Sequence, residues 1–495
     1  MRILLTTLII SAVFGSQVVQ ADTRGNIINA YKQLRSSKKV AGRNKLRLQI
    51  AEGLQDLQFP EASLLYVYPV LTSKDTSNLA TSVPLLDRAI SKSGESNLYR
   101  LVPASLKSSL DSPSYKEFLI HQQVKEMIAA NNVSGAEDLV RKNEGLPLLA
   151  SRYAVATGYM LAKNPKASRR LFQEIAEYRT KAPIDDRQRG LALLGVARAF
   201  YQEKDLNSAA TTYREFPKDH PYFRRSMLEL SWALFRAGQF RSALSPLHSL
   251  HSDFYEGFFQ PESLYLRAMI QLFTCRYDEA ASTLAVFDRT YRNAYFQMRK
   301  WLDEPPSSKK NLEEVFLVSE AASKKISDRI DFKVLKLPYL VVRTAVDEPI
   351  TDVLLRRQRT LLKERKRLDV LFKGFPPLRK QLTTFLDKRM QRNQARILDQ
   401  LGASVIGYAQ ETEAWFTLMD LIRLEIIEGQ KNIARGKMYL PKDQPQTITE
   451  TLTRKYFIQN GYRFWPFQGE YWRDELGNYQ FVGNNVCTAQ EMESE

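Results

Sequence analysis

The chain has 495 residues, 44% of them hydrophobic, and a net charge of +17 from 72 Lys and Arg against 55 Asp and Glu. That length exceeds what one compact core supports, so several modules or a repeat array are expected. Two cysteines exclude a disulfide framework, and so basic a balance points to nucleic acid in a cytosolic protein but to anionic envelope partners in an exported one.

Residues 1–21 read as a signal peptide. Arg2 gives a positive start, residues 3–14 form a mostly apolar run, and Val19 and Ala21 put small residues where a signal peptidase accepts them. Cleavage is expected after Ala21. The run is shorter than the roughly 20 residues a membrane anchor needs, and no later stretch is apolar enough to span a bilayer. The mature chain is therefore expected to lack a transmembrane segment. Export predicts a periplasmic protein, with peripheral attachment to the outer membrane as a variant, and removes contact with nucleic acid. Cys275 and Cys487 could pair in an oxidising compartment or stay as two thiols.

Residues 22–190 carry helical spacing in degenerate units, with Ala62, Ala136 and Ala167 as the small residue of each second helix. Residues 191–300 hold the clearest repeat. Leu193, Val196, Ala197, Phe200, Leu206, Ala209, Tyr213 and Phe216 recur 34 residues later as Met227, Leu230, Ser231, Leu234, Phe240, Ala243, Leu247 and Leu250. A third copy, displaced by 37, gives Leu264, Ala268, Tyr277, Ala280, Leu284 and Phe287. Three- and four-residue intervals give each helix one apolar face, and a period near 34 marks stacked helix pairs. The small residues sit where two helices must approach closely. Gly238 suits a helix end, and Pro221 and Pro261 suit a helix start.

On these residues the chain resembles the tetratricopeptide-repeat (TPR) family, with Leu193, Met227 and Leu264 where that family often has Trp. The resemblance implies a right-handed superhelix whose groove is lined by first helices. Carried over, the groove residues would be Arg198, Tyr201, Gln202, Arg225, Trp232, Phe235, Arg236, Tyr265 and Met269. Arg and aromatic residues are the usual anchors of a protein interface. The alternative is that Trp232 and Phe235 pack on the neighbouring repeat.

Residues 301–350 read as a linker and short helices, because Pro305 and Pro306 break helix within a polar stretch. Residues 351–436 read as a long basic helical pair. Leu354, Leu361, Leu368 and Phe375 form a heptad-like seam, flanked by Leu355, Leu362 and Phe372. Pro376 and Pro377 are expected to make the turn of an antiparallel hairpin. The second helix is expected from Leu378 to about Ala434, with Gly402, Gly407 and Gly429 as candidate interruptions. Residues 351–400 contain fourteen Lys or Arg and five Asp or Glu. Arg356, Arg357, Arg359, Lys363, Arg365, Lys366 and Arg367 crowd the first helix, and are expected to attract an anionic surface if they are not simply a solvated face.

Residues 437–495 form an aromatic tail. Tyr456, Tyr462, Phe464, Trp465, Phe467, Tyr471, Trp472, Tyr479 and Phe481 fall within 26 residues, too much apolar surface to leave in water. Leu476, Gly477 and Asn478 suit a turn between two short strands. The string at residues 465–479 resembles the C-terminal signature of large TPR-containing proteins exported by myxobacteria and Bdellovibrio-type bacteria, some associated with adventurous gliding motility. That resemblance implies a component of an envelope-spanning assembly.

No pattern here carries catalytic chemistry. His248 and His251 have no third ligand at metal spacing, and no phosphate loop or nucleophile elbow occurs. No metal or cofactor is expected. Glu262-Ser263 is the nearest match to the Glu-Ser pair of lytic transglycosylases, without the Gly-Leu-Met-Gln string that follows it there. The expected fold is all-α: a TPR-like helix-pair superhelix, a long helical hairpin and a short aromatic tail. The expected function is a non-catalytic periplasmic scaffold that binds segments of envelope proteins. The alternatives are a peripheral binder of anionic cell-wall polymer or lipid head groups and, last, a cell-wall lytic transglycosylase.

Overall fold

The computed structural model describes residues 22–73, 78–102, 112–177, 185–255, 257–303, 309–324 and 335–435, with four short strands and Leu476 beyond them. The expected signal peptide, the two prolines of the linker and most of the aromatic tail lie outside the described residues. Nearly everything described is helical. Two short strand pairs are the exception: Met438–Tyr439 with Thr488–Ala489, and Phe457–Gln459 with Tyr462–Phe464. Neither is turned by Leu476, and Gly477 and Asn478 lie outside the described residues. No helix among the described residues is long and apolar enough to cross a membrane.

One turn recurs along the chain. Helix α1 covers residues 22–36. It precedes the pairs α2 (Val40–Asp56) and α3 (Pro60–Leu71), α5 (Pro113–Ala129) and α6 (Val133–Lys142), and α7 (Leu149–Leu161) and α8 (Pro165–Ala176), with α4 (Leu79–Ser93) between the first two. Then come α9 (Asp186–Gln202) and α10 (Leu206–Arg214), α11 (Phe223–Arg236) and α12 (Phe240–Leu250), and α13 (Pro261–Phe273) and α14 (Tyr277–Phe287). Each pair turns on one left-handed residue: Gln58, Asn131, Lys163, Lys204, Gly238 and Cys275. Only Gly238 adopts that conformation without a Cβ penalty. In five of the turns the next amide reaches back five residues to the first helix, as from Phe59 to the Leu54 carbonyl at 2.8 Å and from Gln239 to that of Leu234 at 2.9 Å. That bond satisfies carbonyls the helix end leaves open.

The turn sets the register of the crossing. Seven residues before it lie Ala51, Val124, Ala156, Ala197, Ser231 and Ala268; five after it lie Ser63, Ala136, Ser168, Ala209, Ala243 and Ala280. All are fully buried. In two early units the small residue is therefore one place later than Ala62 and Ala167. Ser168 buries its hydroxyl by donating to the Ala156 carbonyl at 2.7 Å.

The chain divides into two compact units that do not follow its order. The first comprises residues 1–129, 138–151 and 349–400. It joins α1–α4 to α18 (Pro349–Leu371) and the first part of α19 (Pro376–Ala434). Leu361, Leu368, Phe372, Leu378, Leu382 and Leu386 share a core with Ile27, Leu54, Phe59 and Leu86. The expected hairpin forms, and Asn393 reaches the Leu354 carbonyl at 2.9 Å across it. Pro376 starts the second helix instead of making the turn, because proline suits a first helical position. Leu362 of the expected seam is 39% exposed. None of the three glycines interrupts α19, which runs for 59 residues.

The second unit comprises residues 130–137, 152–348 and 401–495. From α9 to α14 each helix packs on its sequence neighbour. Beyond them lie α15 (Asn293–Asp303), α16 (Lys309–Lys324) and α17 (Tyr339–Asp347). Residues 401–434 of α19 return to this unit, where Ile422 and Ile426 are buried.

Candidate functional site

The first helices of the central repeats present one linked face. Arg198 of α9 donates from Nε and Nη2 to Glu229 of α11 at 2.8 and 2.7 Å. Arg225 donates to Glu229 at 2.8 Å and to Glu262 of α13 at 3.3 Å. Trp232 Nε1 donates to the other Glu262 oxygen at 2.9 Å. Burial raises the Glu229 carboxyl, but the hydrogen bond and charge of Arg198, with Arg225, outweigh it and leave the carboxyl below its usual range. The ladder thus joins successive repeats by charge-assisted bonds.

Aromatic residues continue it. Arg236 lies 4.9 Å from the Tyr201 ring centre. Trp232 meets Phe235 at 5.9 Å and Tyr265 at 6.4 Å. Phe235, Phe240 and Phe273 form a triangle with centroids 5.4 to 5.9 Å apart. Phe273 is 52% exposed. Gln202 is exposed and Met269 half-buried. Seven of the nine residues expected to line a groove make these contacts, and Trp232 and Phe235 each also pack on the next repeat.

Part of the face is already covered. Trp415 of α19 packs at a tilt on Tyr265 at 4.8 Å, as Tyr408 does on Phe259 at 4.8 Å, and Phe416 meets Phe287 edge-to-face at 5.6 Å. Arg423 donates to Asp288 at 2.8 Å. Glu348 receives the hydroxyls of Ser404 at 2.7 Å and Tyr408 at 2.5 Å. Tyr265 is therefore covered by the chain's own helix, a contact its sequence position did not disclose.

The chain matches no family model and no curated protein.

The basic residues of α18 are not one open cluster, which corrects the expectation for several of them. Arg357 is 6% exposed and ion-paired with Glu61 at 3.2 Å and with Glu95. Arg365 binds Asp387 at 2.9 Å and also Asp369. Arg367 donates to the Leu57 carbonyl at 3.0 Å and stacks over Phe59. Arg356 is exposed but pairs with Asp352 at 2.7 Å. Arg359, Lys363 and Lys366 are exposed. Cationic groups were legible in the sequence; Asp352 and Asp369 take Arg356 and Arg365 within the same helix, but the Glu61, Glu95 and Leu57 groups that take Arg357 and Arg367 lie elsewhere in the chain.

That burial builds a closed ionic centre in the first unit. Glu61 is fully buried, and Arg389 donates to Glu61 at 2.8 Å, to Glu95 at 2.8 Å and to the Tyr68 hydroxyl at 2.8 Å. Arg396 adds a bond to Glu95 at 3.2 Å. Glu364 accepts the amides of Glu61 and Ala62 at 3.1 and 3.0 Å, so it caps α3 from far along the chain. Burial pushes its carboxyl up to about 8, against the pull of those amides. Both its oxygens are engaged by backbone, which is a structural arrangement and not that of a free acid.

The Glu262-Ser263 pair is likewise engaged. Glu262 serves Arg225 and Trp232, and Ser263 donates to the Gln260 carbonyl at 2.7 Å. His251 stands 2.9 Å from that hydroxyl, but Arg267 donates to its Nδ1 at 3.3 Å. Nε2 must then carry the hydrogen and donate to Ser263, the wrong tautomer to take a proton from it. Among the described residues no three His, Cys, Asp or Glu side chains come together as a metal site would need. Cys275 is disulfide-bonded; Cys487, the other cysteine, lies outside the described residues.

Proposed function

We propose that this is an exported, non-catalytic scaffold whose TPR-like helix pairs form a superhelix and hold a helical segment of another envelope protein. The observation that carries the reading is the seat of Trp415 on Tyr265: the repeat face accepts an amphipathic helix, here its own. Tyr201, Gln202, Phe235 and Arg236 are left to receive a second segment. The disulfide at Cys275 favours an oxidising compartment such as the periplasm. The envelope-spanning, gliding-type assembly implied by the tail signature is the setting we propose.

Trp232→Ala combined with Arg236→Glu is expected to weaken capture of a co-purifying envelope protein by about tenfold, with capture by the native chain surviving moderate salt. The exposed Lys363 and Lys366 favour, as a second reading, attraction to anionic polymer or lipid head groups. Charge reversal there, measured by co-sedimentation with envelope fractions across a salt series, decides between the two. Loss of binding on reversal, with Trp232 and Arg236 dispensable, overturns the scaffold.

A further inference from the structure

Where α11 begins, the second unit has a partly open cavity of about 190 Å³. Phe223, Phe254, Tyr255 and Phe258 form the aromatic part of its walls, with Leu476 of the tail, itself only 2% exposed, and the rest of the lining is polar or charged. The volume lies below the roughly 300 Å³ of a drug-sized site, so an occupant must be small.

The charge around it is unbalanced. Arg224 lines the cavity and stacks 3.8 Å over Phe258. Its Nη1 is buried without a hydrogen-bond partner, and no described carboxylate is ion-paired with it. Arg343 stacks on the same ring at 4.7 Å and already holds Asp347. Two guanidinium groups therefore share one carboxylate. His220 adds no charge: Nδ1 accepts the Tyr222 amide at 3.0 Å, leaving Nε2 to donate to the Arg187 carbonyl at 3.0 Å, and burial lowers its pKa. Lys218 and Asp219 bring one charge of each sign to the wall. Among the described residues, the Arg224 Nη1 is thus the cationic donor in the wall left without a hydrogen bond, and burying such a group without a partner is unfavourable.

We propose that this cavity binds a small carboxylate on an apolar, ring-sized body, the carboxylate pairing with Arg224 and the body lying among the aromatic walls. A planar fork suits a carboxylate. Asp219 and Asp347 in the wall disfavour a second negative charge, which sets phosphate apart.

The test is calorimetric titration of the full chain with phenylacetate, N-acetylphenylalanine, its amide and inorganic phosphate. Saturable binding of the first two is expected, with the amide and phosphate inert. Stronger binding of N-acetylphenylalanine would assign the natural source to a peptide end, and stronger binding of phenylacetate to a free aryl acid. Arg224→Gln is expected to weaken binding at least about tenfold, and Phe258→Leu by less. Arg224→Lys keeps the charge, guards against loss of the fold, and should also bind more weakly. The proposal is overturned if phenylacetate and N-acetylphenylalanine both fail to saturate, if folded Arg224 variants bind like the native chain, or if phosphate binds as well as the carboxylates.

Discussion

In the first unit, Glu61 meets Arg357 and Arg389 from helices about 300 residues further along, and water is excluded from all three. In the second, Arg198, Glu229, Arg225 and Glu262 come from adjacent repeats, and the arginines are half-exposed. The same ion-pair chemistry has different consequences. A sealed pair must be complete, because a lone charge left inside is severely unfavourable. A pair on an open face contributes little to stability, so its partners can be exchanged for those of a ligand at small loss.

Three changes would break or sharpen that contrast. Glu61→Ala should have the largest effect, leaving Arg357 and Arg389 short of a buried counter-charge and destabilising the first unit by about 3–5 kcal/mol in denaturant unfolding. An unfolding midpoint like that of the native chain would show the centre to be dispensable.

Gly429→Leu should come next. A Cβ there would meet the Tyr277 ring at 2.3 Å, so overpacking of about 1–3 kcal/mol is expected in the second unit. Lifting residues 401–434 from the repeats should also uncover Tyr265, which faster chemical labelling of that residue would register. Unchanged labelling would mean that Trp415 does not cover it in solution.

Glu364→Gln should be the smallest of the three. An acid whose folded pKa lies above its unfolded one binds more protons when folded. Its stabilising contribution is thus complete below the ordinary value of 4.5 and lost as pH rises through about 8. The native first unit should weaken by more than about 1 kcal/mol across that window, and the Gln variant by less. Parallel pH profiles for the two would exclude Glu364 as the titrating group.

Much of the helical layout was legible because it is local. Ala197, Ser231 and Ala268 repeat at helical crossings, and the end of α19 at Ala434 follows from a long run without proline. The early units were misread by one residue at Ala62 and Ala167, since serine serves there as well as alanine and the left-handed turn residue is Gln58 or Lys163 instead of glycine. The fate of Arg357 was not legible at all. Nothing near it in sequence distinguishes it from Arg356 or Arg359; its burial depends on Glu61 and Glu95, which only the folded chain brings close. Tyr265 is a similar case, since its cover arrives 150 residues later.

The capping of α3 by Glu364 has a consequence for how the molecule is made. The amides of Glu61 and Ala62 emerge from the ribosome long before Glu364, Arg357 and Arg389 have been synthesised. The leading segment must therefore wait, incompletely folded, while the whole repeat region is translated. If the chain is exported in the unfolded state, that delay keeps it threadable and postpones closure of its first core until residues 349–400 have followed it across the membrane.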